Sequence, residues 1–146
     1  MRLLVANRGE IASRIIRTCK DLGIKTAALY TVVDNNSPFV SQADTALLQP
    51  DTPIPYTSID TIIKAAQEVG ADALHPGYGF LSENAELAEA CAKAGIVFVG
   101  PSAEAIRKQH SKVKAKDIAE MAGVPVIPGT EQFTSLNVAK DGAQEF

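Results

Sequence analysis

Tryptophan is absent from this sequence of 146 residues, and cysteine, histidine and methionine each occur only twice. Cys19 and Cys91 form no Cys-x-x-Cys pair, and only His75 and His110 accompany them, so a zinc ribbon or a disulfide scaffold is excluded. Both cysteines sit at apolar positions of helix-like stretches and read as small buried hydrophobes. Neither charge sign dominates: fourteen basic and seventeen acidic side chains leave a net charge of −3. No basic stripe interleaved with aromatics appears, so nucleic acid is not an expected partner. No apolar run approaches the about 18 residues that a membrane helix needs, and no signal-peptide pattern precedes the first apolar run. The expectation is a cytoplasmic protein without a membrane partner.

What is present is a rhythm of short apolar runs and amphipathic stretches. Strands are expected at Arg2–Ala6, Lys25–Tyr30, Thr45–Leu48, Ala73–His75 and Val97–Gly100. Helices are expected at Glu10–Leu22, Ser58–Val69, Asn84–Ala94, Ser102 to Gln109, and Val113–Ala122. Ile11, Ile15, Cys19 and Leu22 are placed on one face of the first helix, with Gly23 ending it. Thr57 with Asp60 reads as a capping box for the helix from Ser58. Such βαβ alternation implies an α/β fold with a doubly wound parallel sheet. A chain of this length buries about two-thirds of its unfolded surface, enough for one core. Periodicity fades after Gly129. The expected division is a sheet domain over residues 1–106, followed at 107–146 by the start of something larger.

The chemistry-bearing stretch is His75-Pro76-Gly77-Tyr78-Gly79-Phe80-Leu81-Ser82-Glu83-Asn84, between a strand and a helix. Open α/β sheets bind ligands at such places, where strand ends leave crevices and helix starts offer free N–H groups. Gly77 and Gly79 permit close approach or positive φ, and Tyr78 offers a ring with a polar tip. Spacing alone reads equally well as a plain strand-to-helix turn. His75, on a strand end before proline, reads as a packed turn residue rather than a general base. Glu83 either caps the following helix or meets a neighbouring domain. At the first turn, Asn7-Arg8-Gly9-Glu10-Ile11-Ala12 supplies one glycine where a dinucleotide fold wants G-x-G-x-x-G, and Glu10 would repel a pyrophosphate. No Walker pattern exists. Arg17 and Asp21, four apart on a polar helix face, read as a surface ion pair.

Val5-Ala6-Asn7-Arg8-Gly9-Glu10 and His75–Asn84, followed by Phe98–Ser102 and Ala122–Gly129, closely resemble the N-terminal region of biotin carboxylases, over about residues 2–130. The resemblance implies a Rossmann-like domain preceding an ATP-grasp region. It also implies an enzyme that uses ATP, magnesium and bicarbonate to carboxylate carrier-borne biotin. Lys112 matches an ATP-contacting lysine of the family. The family commonly has Gly-Asp-Lys where this chain has His110-Ser111-Lys112, which leaves Lys114 or Lys116 as alternatives. Gly77, Tyr78 and Gly79 match a turn facing the biotin and carboxyl-transfer region. The helix bearing Arg17 and Asp21 matches one at a homodimer interface, so an intersubunit role is the alternative to a simple surface pair. Ser37–Asp44 looks more like urea carboxylases than acetyl-CoA carboxylases. Implied partners are the remaining ATP-grasp and C-terminal parts, a biotin carboxyl carrier domain and a carboxyltransferase. No catalytic group and no metal ligand is matched within this chain. The glycine-rich lid, magnesium carboxylates and bicarbonate-binding arginine are expected beyond Phe146, leaving this portion inactive alone. The rivals are another ATP-grasp ligase, a non-enzymatic assembly module and a dinucleotide binder.

Overall fold

Five parallel strands form one sheet in the order β3-β2-β1-β4-β5, with β1 at Arg2–Val5, β2 at Lys25–Tyr30, β3 at Thr45–Leu48, β4 at Ala73–His75 and β5 at Val97–Phe98. The computed structural model describes residues 1–49, 55–109, 111–127, 135 and 140. They fall into two units, Met1–Ile106 and Arg107–Phe146. Helices α1 (Gly9–Asp21), α2 (Pro38–Gln42), α3 (Ile59–Glu68), α4 (Ala85–Lys93), α5 (Ala103–Gln109) and α6 (Lys112–Met121) complete the described elements, with 3₁₀ turns at Val32–Asp34 and Pro55–Thr57.

Successive strand side chains face opposite ways, and the two cores follow from that alternation. Leu3, Val5, Ala28 and Ala73 pack with Ala12, Ile15, Ile16 and Cys19 of α1 and Phe39 of α2. Leu4, Ala27, Leu29 and Leu74 pack on the other side with Ile62 and Ala66 of α3 and Leu87 and Cys91 of α4. The central strands are buried on both sides, as a helix-covered parallel sheet requires. Cys19 and Cys91 are free and buried. Burial pushes both thiols up, Cys91 to about 11, so neither is a ready nucleophile.

Three local expectations change. Leu22 is 68% exposed, because α1 ends at Asp21 and Leu22 occupies the C-cap, outside the helix's buried face. The buried face instead uses Ala12, Ile15, Ile16 and Cys19. Ser58, not Thr57, caps α3: its hydroxyl accepts from Thr61 N at 3.3 Å. Val97–Gly100 pairs only as far as Phe98. Ser102 Oγ accepts from Ala105 N at 3.2 Å at the start of α5. Ser111 caps α6. Pro128, Gly129 and His110 lie outside the described residues.

The strand order carries the functional consequence. β1 leads through α1 to β2 on one side, whereas β4 leads through α4 to β5 on the other. Adjacent strands whose connections depart in opposite directions open a crevice at their carboxyl ends, the usual ligand position in open α/β sheets. That crevice lies between β1 and β4, whose register places Val5 beside His75.

Candidate functional site

Both glycine-bearing turns meet at this switch point, and they are tied together by side chains. Ala6 N donates to His75 O at 3.0 Å, extending the pairing of β1 and β4 past the last strand residues. Asn7 follows at once and is 3% exposed. Its Nδ2 donates to Pro76 O at 2.7 Å and to Tyr78 O at 2.8 Å, while its Oδ1 accepts from Arg8 N at 2.8 Å. One amide thus uses both donors and its acceptor to clamp the second turn against the first. Gly77 is obligatory there. Its φ is +67°, and a Cβ on it would lie 2.7 Å from Asn7 Nδ2.

Gly79 also has a φ of +67°, but a Cβ there would meet nothing within 4 Å. Phe80 adopts φ +43° without being glycine, a conformation that costs a larger residue on the order of 1–2 kcal/mol. Its ring stacks on Tyr56 with centroids 5.2 Å apart. Further bonds close the loop: Ser82 N donates to Gly79 O at 2.9 Å, and Asn84 N donates to Leu81 O at 3.0 Å. Asn84, rather than Glu83, caps α4, accepting from Leu87 N at 3.0 Å. Glu83 is exposed.

Tyr78 is 60% exposed, and its hydroxyl donates to Glu10 Oε1 in the first turn of α1. That hydrogen bond pushes the phenol up, which keeps it a donor. Glu10 therefore does more than complement the helix dipole, since it steers the Tyr78 ring of the second turn. His75 is half-buried and its Nδ1 accepts from Gly77 N at 3.0 Å. Burial pushes the imidazole below its ordinary value, so the ring is neutral with its proton on Nε2. An acceptor already engaged by the backbone is a turn brace and not a base awaiting a substrate.

Beneath the turns lies a buried carboxylate that sequence reasoning passed over. Asp34 is 1% exposed and sits in the 3₁₀ turn after β2. Its Oδ1 accepts from Arg8 Nη2. Its Oδ2 accepts from Thr31 N at 3.3 Å, Thr31 Oγ1 at 2.8 Å and Tyr56 Oη at 3.0 Å. Burial pushes this carboxyl up, but the hydrogen bonds from Thr31, Tyr56 and Arg8 outweigh it and leave Asp34 below the ordinary value. Burial and the Asp34 charge push the Tyr56 phenol up, so it remains the donor. The only signals in the sequence were single polar residues in loops, and these carry no periodicity.

Gly77, Tyr78 and Gly79 are thus brought together with Asn7 and Glu10. Lys112 is the first residue of α6, in the Arg107–Phe146 unit, and its side chain lies outside what the structure describes. Lys114 is exposed, and Lys116 pairs with Glu120 at 3.9 Å. Arg17 and Asp21 are both exposed on α1. The ion pair expected between them is not formed, whereas Arg8 pairs with Asp34, Lys25 with Asp44 and Lys116 with Glu120. Solvated side chains at such spacing gain too little to hold one geometry. Among the described residues no group of three or more histidines, cysteines and acidic residues is placed to hold a metal ion. No described helix is long and apolar enough to cross a membrane.

Comparison with known proteins agrees with this architecture. The model of the biotin carboxylase N-terminal domain matches residues 1–106. A biotin carboxylase of Halalkalibacterium halodurans is 52% identical over 132 residues, covering 89% of this chain and 29% of the relative. A urea amidolyase of Lachancea kluyveri is 52% identical over 145 residues, covering 98% of this chain and 8% of the relative. Among solved structures, the biotin carboxylase domain dimer of Hydrogenobacter thermophilus 2-oxoglutarate carboxylase, in complex with MgADP, ADP and bicarbonate, superposes with a TM-score of 0.88. It is 42% identical, over 99% of this chain and 32% of that one. The chain therefore spans only about a third or less of the lengths of these proteins. The parallel α/β sheet with its two clamped turns, and the match over residues 1–106, lead to one conclusion: this chain belongs to the biotin carboxylase N-terminal domain family.

Proposed function

We propose that this chain works as the N-terminal part of a longer biotin carboxylase that consumes ATP and bicarbonate, with magnesium, to carboxylate biotin on a carrier domain. The observation that carries this reading is the Asn7 clamp, which sets Gly77, Tyr78 and Gly79 as one rigid turn at the switch point between β1 and β4. A turn held by backbone-directed bonds, with the exposed rings of Tyr78 and Phe80, suits shaping a pocket for a flat, uncharged ring such as biotin better than proton transfer. In this reading residues 1–106 form the N-terminal domain and 107–146 begin the ATP-grasp region. A carboxyltransferase and the rest of the carboxylase complete the cytoplasmic assembly. Relatives named for urea and for 2-oxoglutarate are both similar to this chain, so the acceptor is assigned to the carboxyltransferase.

Lys112 is the proposed ATP contact. Lysines at Lys112, Lys114 and Lys116 crowd the start of α6, whose first turn holds no acidic residue. A helix start favours negative charge, so lysines there cost helix stability and fit an external anion instead. In the complete enzyme Lys112→Ala is expected to raise the KM for ATP or lower kcat about tenfold or more. That corresponds to losing a charged hydrogen bond of about 1.5–3 kcal/mol. Bicarbonate- and biotin-dependent ATP cleavage by the wild-type polypeptide tests the functional reading itself, and unchanged kinetics in the variant would remove Lys112 from the site.

The exposed α1 face bearing Arg17 and Asp21 is the proposed intersubunit surface. Neither side chain is engaged by the other, which leaves both charges available to a second copy. Arg17→Glu is expected to shift the complete enzyme toward the monomer in sedimentation velocity over a concentration series. An unaltered sedimentation coefficient at every concentration would assign the residues to a plain solvated face.

A further inference from the structure

We propose that Asp34 is a positioning residue for the biotin-site turn, holding both ends of the Pro76–Phe80 segment from below through Arg8 and Tyr56. This rests on the biotin carboxylase reading for its kinetic consequence, but not for its structural one.

Asp34 belongs to neither turn, yet its two carboxylate oxygens reach toward both. Through Oδ1 it holds the Arg8 guanidinium, and the Arg8 backbone N–H is the group that orients the Asn7 amide. Asn7 in turn grips Pro76 O and Tyr78 O. Through Oδ2 it holds the Tyr56 hydroxyl at 3.0 Å, and the Tyr56 ring stacks on Phe80, which among the described residues is the one non-glycine with positive φ. The same hydroxyl approaches Leu29 O at 3.3 Å, which anchors the ring to the end of β2. One buried charge therefore joins β2, the first turn and the second turn. Taking the Asp34 carboxylate out of water costs free energy that an apolar side chain of the same volume would not. A charge retained at that cost, with one donor on Oδ1 and three on Oδ2, fixes orientation rather than adding cohesion.

The test uses Asp34→Asn, which keeps shape and volume while removing the charge, beside Ile62→Val, a core change in α3 that leaves every hydrogen bond of Asp34 in place. In the 146-residue chain, Asp34→Asn is expected to move the amide resonances of Gly77, Tyr78, Gly79 and Phe80 and to speed their hydrogen exchange at least tenfold. Ile62→Val, at a matched loss in Tm, is expected to leave those amides in place. In the complete enzyme Asp34→Asn should lower kcat/KM for free biotin about tenfold or more while KM for ATP stays within about twofold. Should Asp34→Asn fail to fold, Tyr56→Phe removes one arm and keeps the ring stack, and a shift confined to Phe80 and its neighbours is then expected. Unmoved turn amides in the folded variant, or the same changes in Ile62→Val, would overturn the positioning role. A wild-type enzyme without biotin-dependent ATP cleavage would instead overturn the functional reading, and leaves the amide result standing by itself.

Discussion

Gly77→Ala is expected to destabilise the Met1–Ile106 unit by about 2–5 kcal/mol, while Gly79→Ala costs only about 1–2 kcal/mol. Both glycines have a φ of +67°, so both replacements meet the left-handed backbone penalty of about 1–2 kcal/mol. Only at Gly77 does the new methyl also collide with a neighbour, at 2.7 Å from Asn7 Nδ2. Asn7 is buried and its Nδ2 serves two carbonyls. Displacing it leaves polar groups without partners in a dry site, a further cost of about 1–3 kcal/mol. Urea unfolding followed by circular dichroism measures the difference. Equal midpoints for the two variants would show that the Asn7 clamp adds nothing to the turn.

The second large effect is a loss. The isolated chain is expected to release no phosphate above buffer blanks in ATP, magnesium, bicarbonate and biotin, while still showing a cooperative thermal transition. Phosphoryl transfer needs metal ions and several cations placed together around the charge that develops. Among the described residues no cluster could hold a metal ion, and Lys112 is the single proposed nucleotide contact. A lone lysine cannot align bicarbonate with a γ-phosphate. The matched relatives carry two-thirds or more of their length outside the part this chain covers. The transition should persist because both core clusters are built within Met1–Ile106. Biotin-dependent turnover by these 146 residues would place the active site inside them.

Strand existence was the part of the fold most open to sequence reasoning. Lys25–Tyr30, Thr45–Leu48 and Ala73–His75 form strands with the expected bounds, since short runs of β-branched and aliphatic residues between turn formers have few alternatives. Gly77 and Gly79 were identifiable for a similar reason: positive φ narrows the choice of residue so strongly that the type reveals the geometry. Motif order carried the family resemblance, because the two turns together are far more specific than either alone. Caps were less legible, and the choice of Ser58 over Thr57 depended on one residue's backbone angle.

From the sequence itself came the α/β alternation, the two glycine turns and the family. Only the tertiary structure decided that β1 and β4 lie side by side, and that the two turns consequently share one crevice. Periodicity reports which face of an element is buried but says nothing of which strand is its neighbour. Asn7 and Asp34 were invisible for the same reason. An asparagine or aspartate in a loop looks solvated until the chain brings its partners close, and Asn7 lies 69 and 71 residues from its carbonyl acceptors. Leu22 errs in the opposite direction, an apolar residue at the right spacing that the helix's end leaves in water. Local pattern sets the elements because backbone conformation is a local property, whereas partners for polar groups are created by packing.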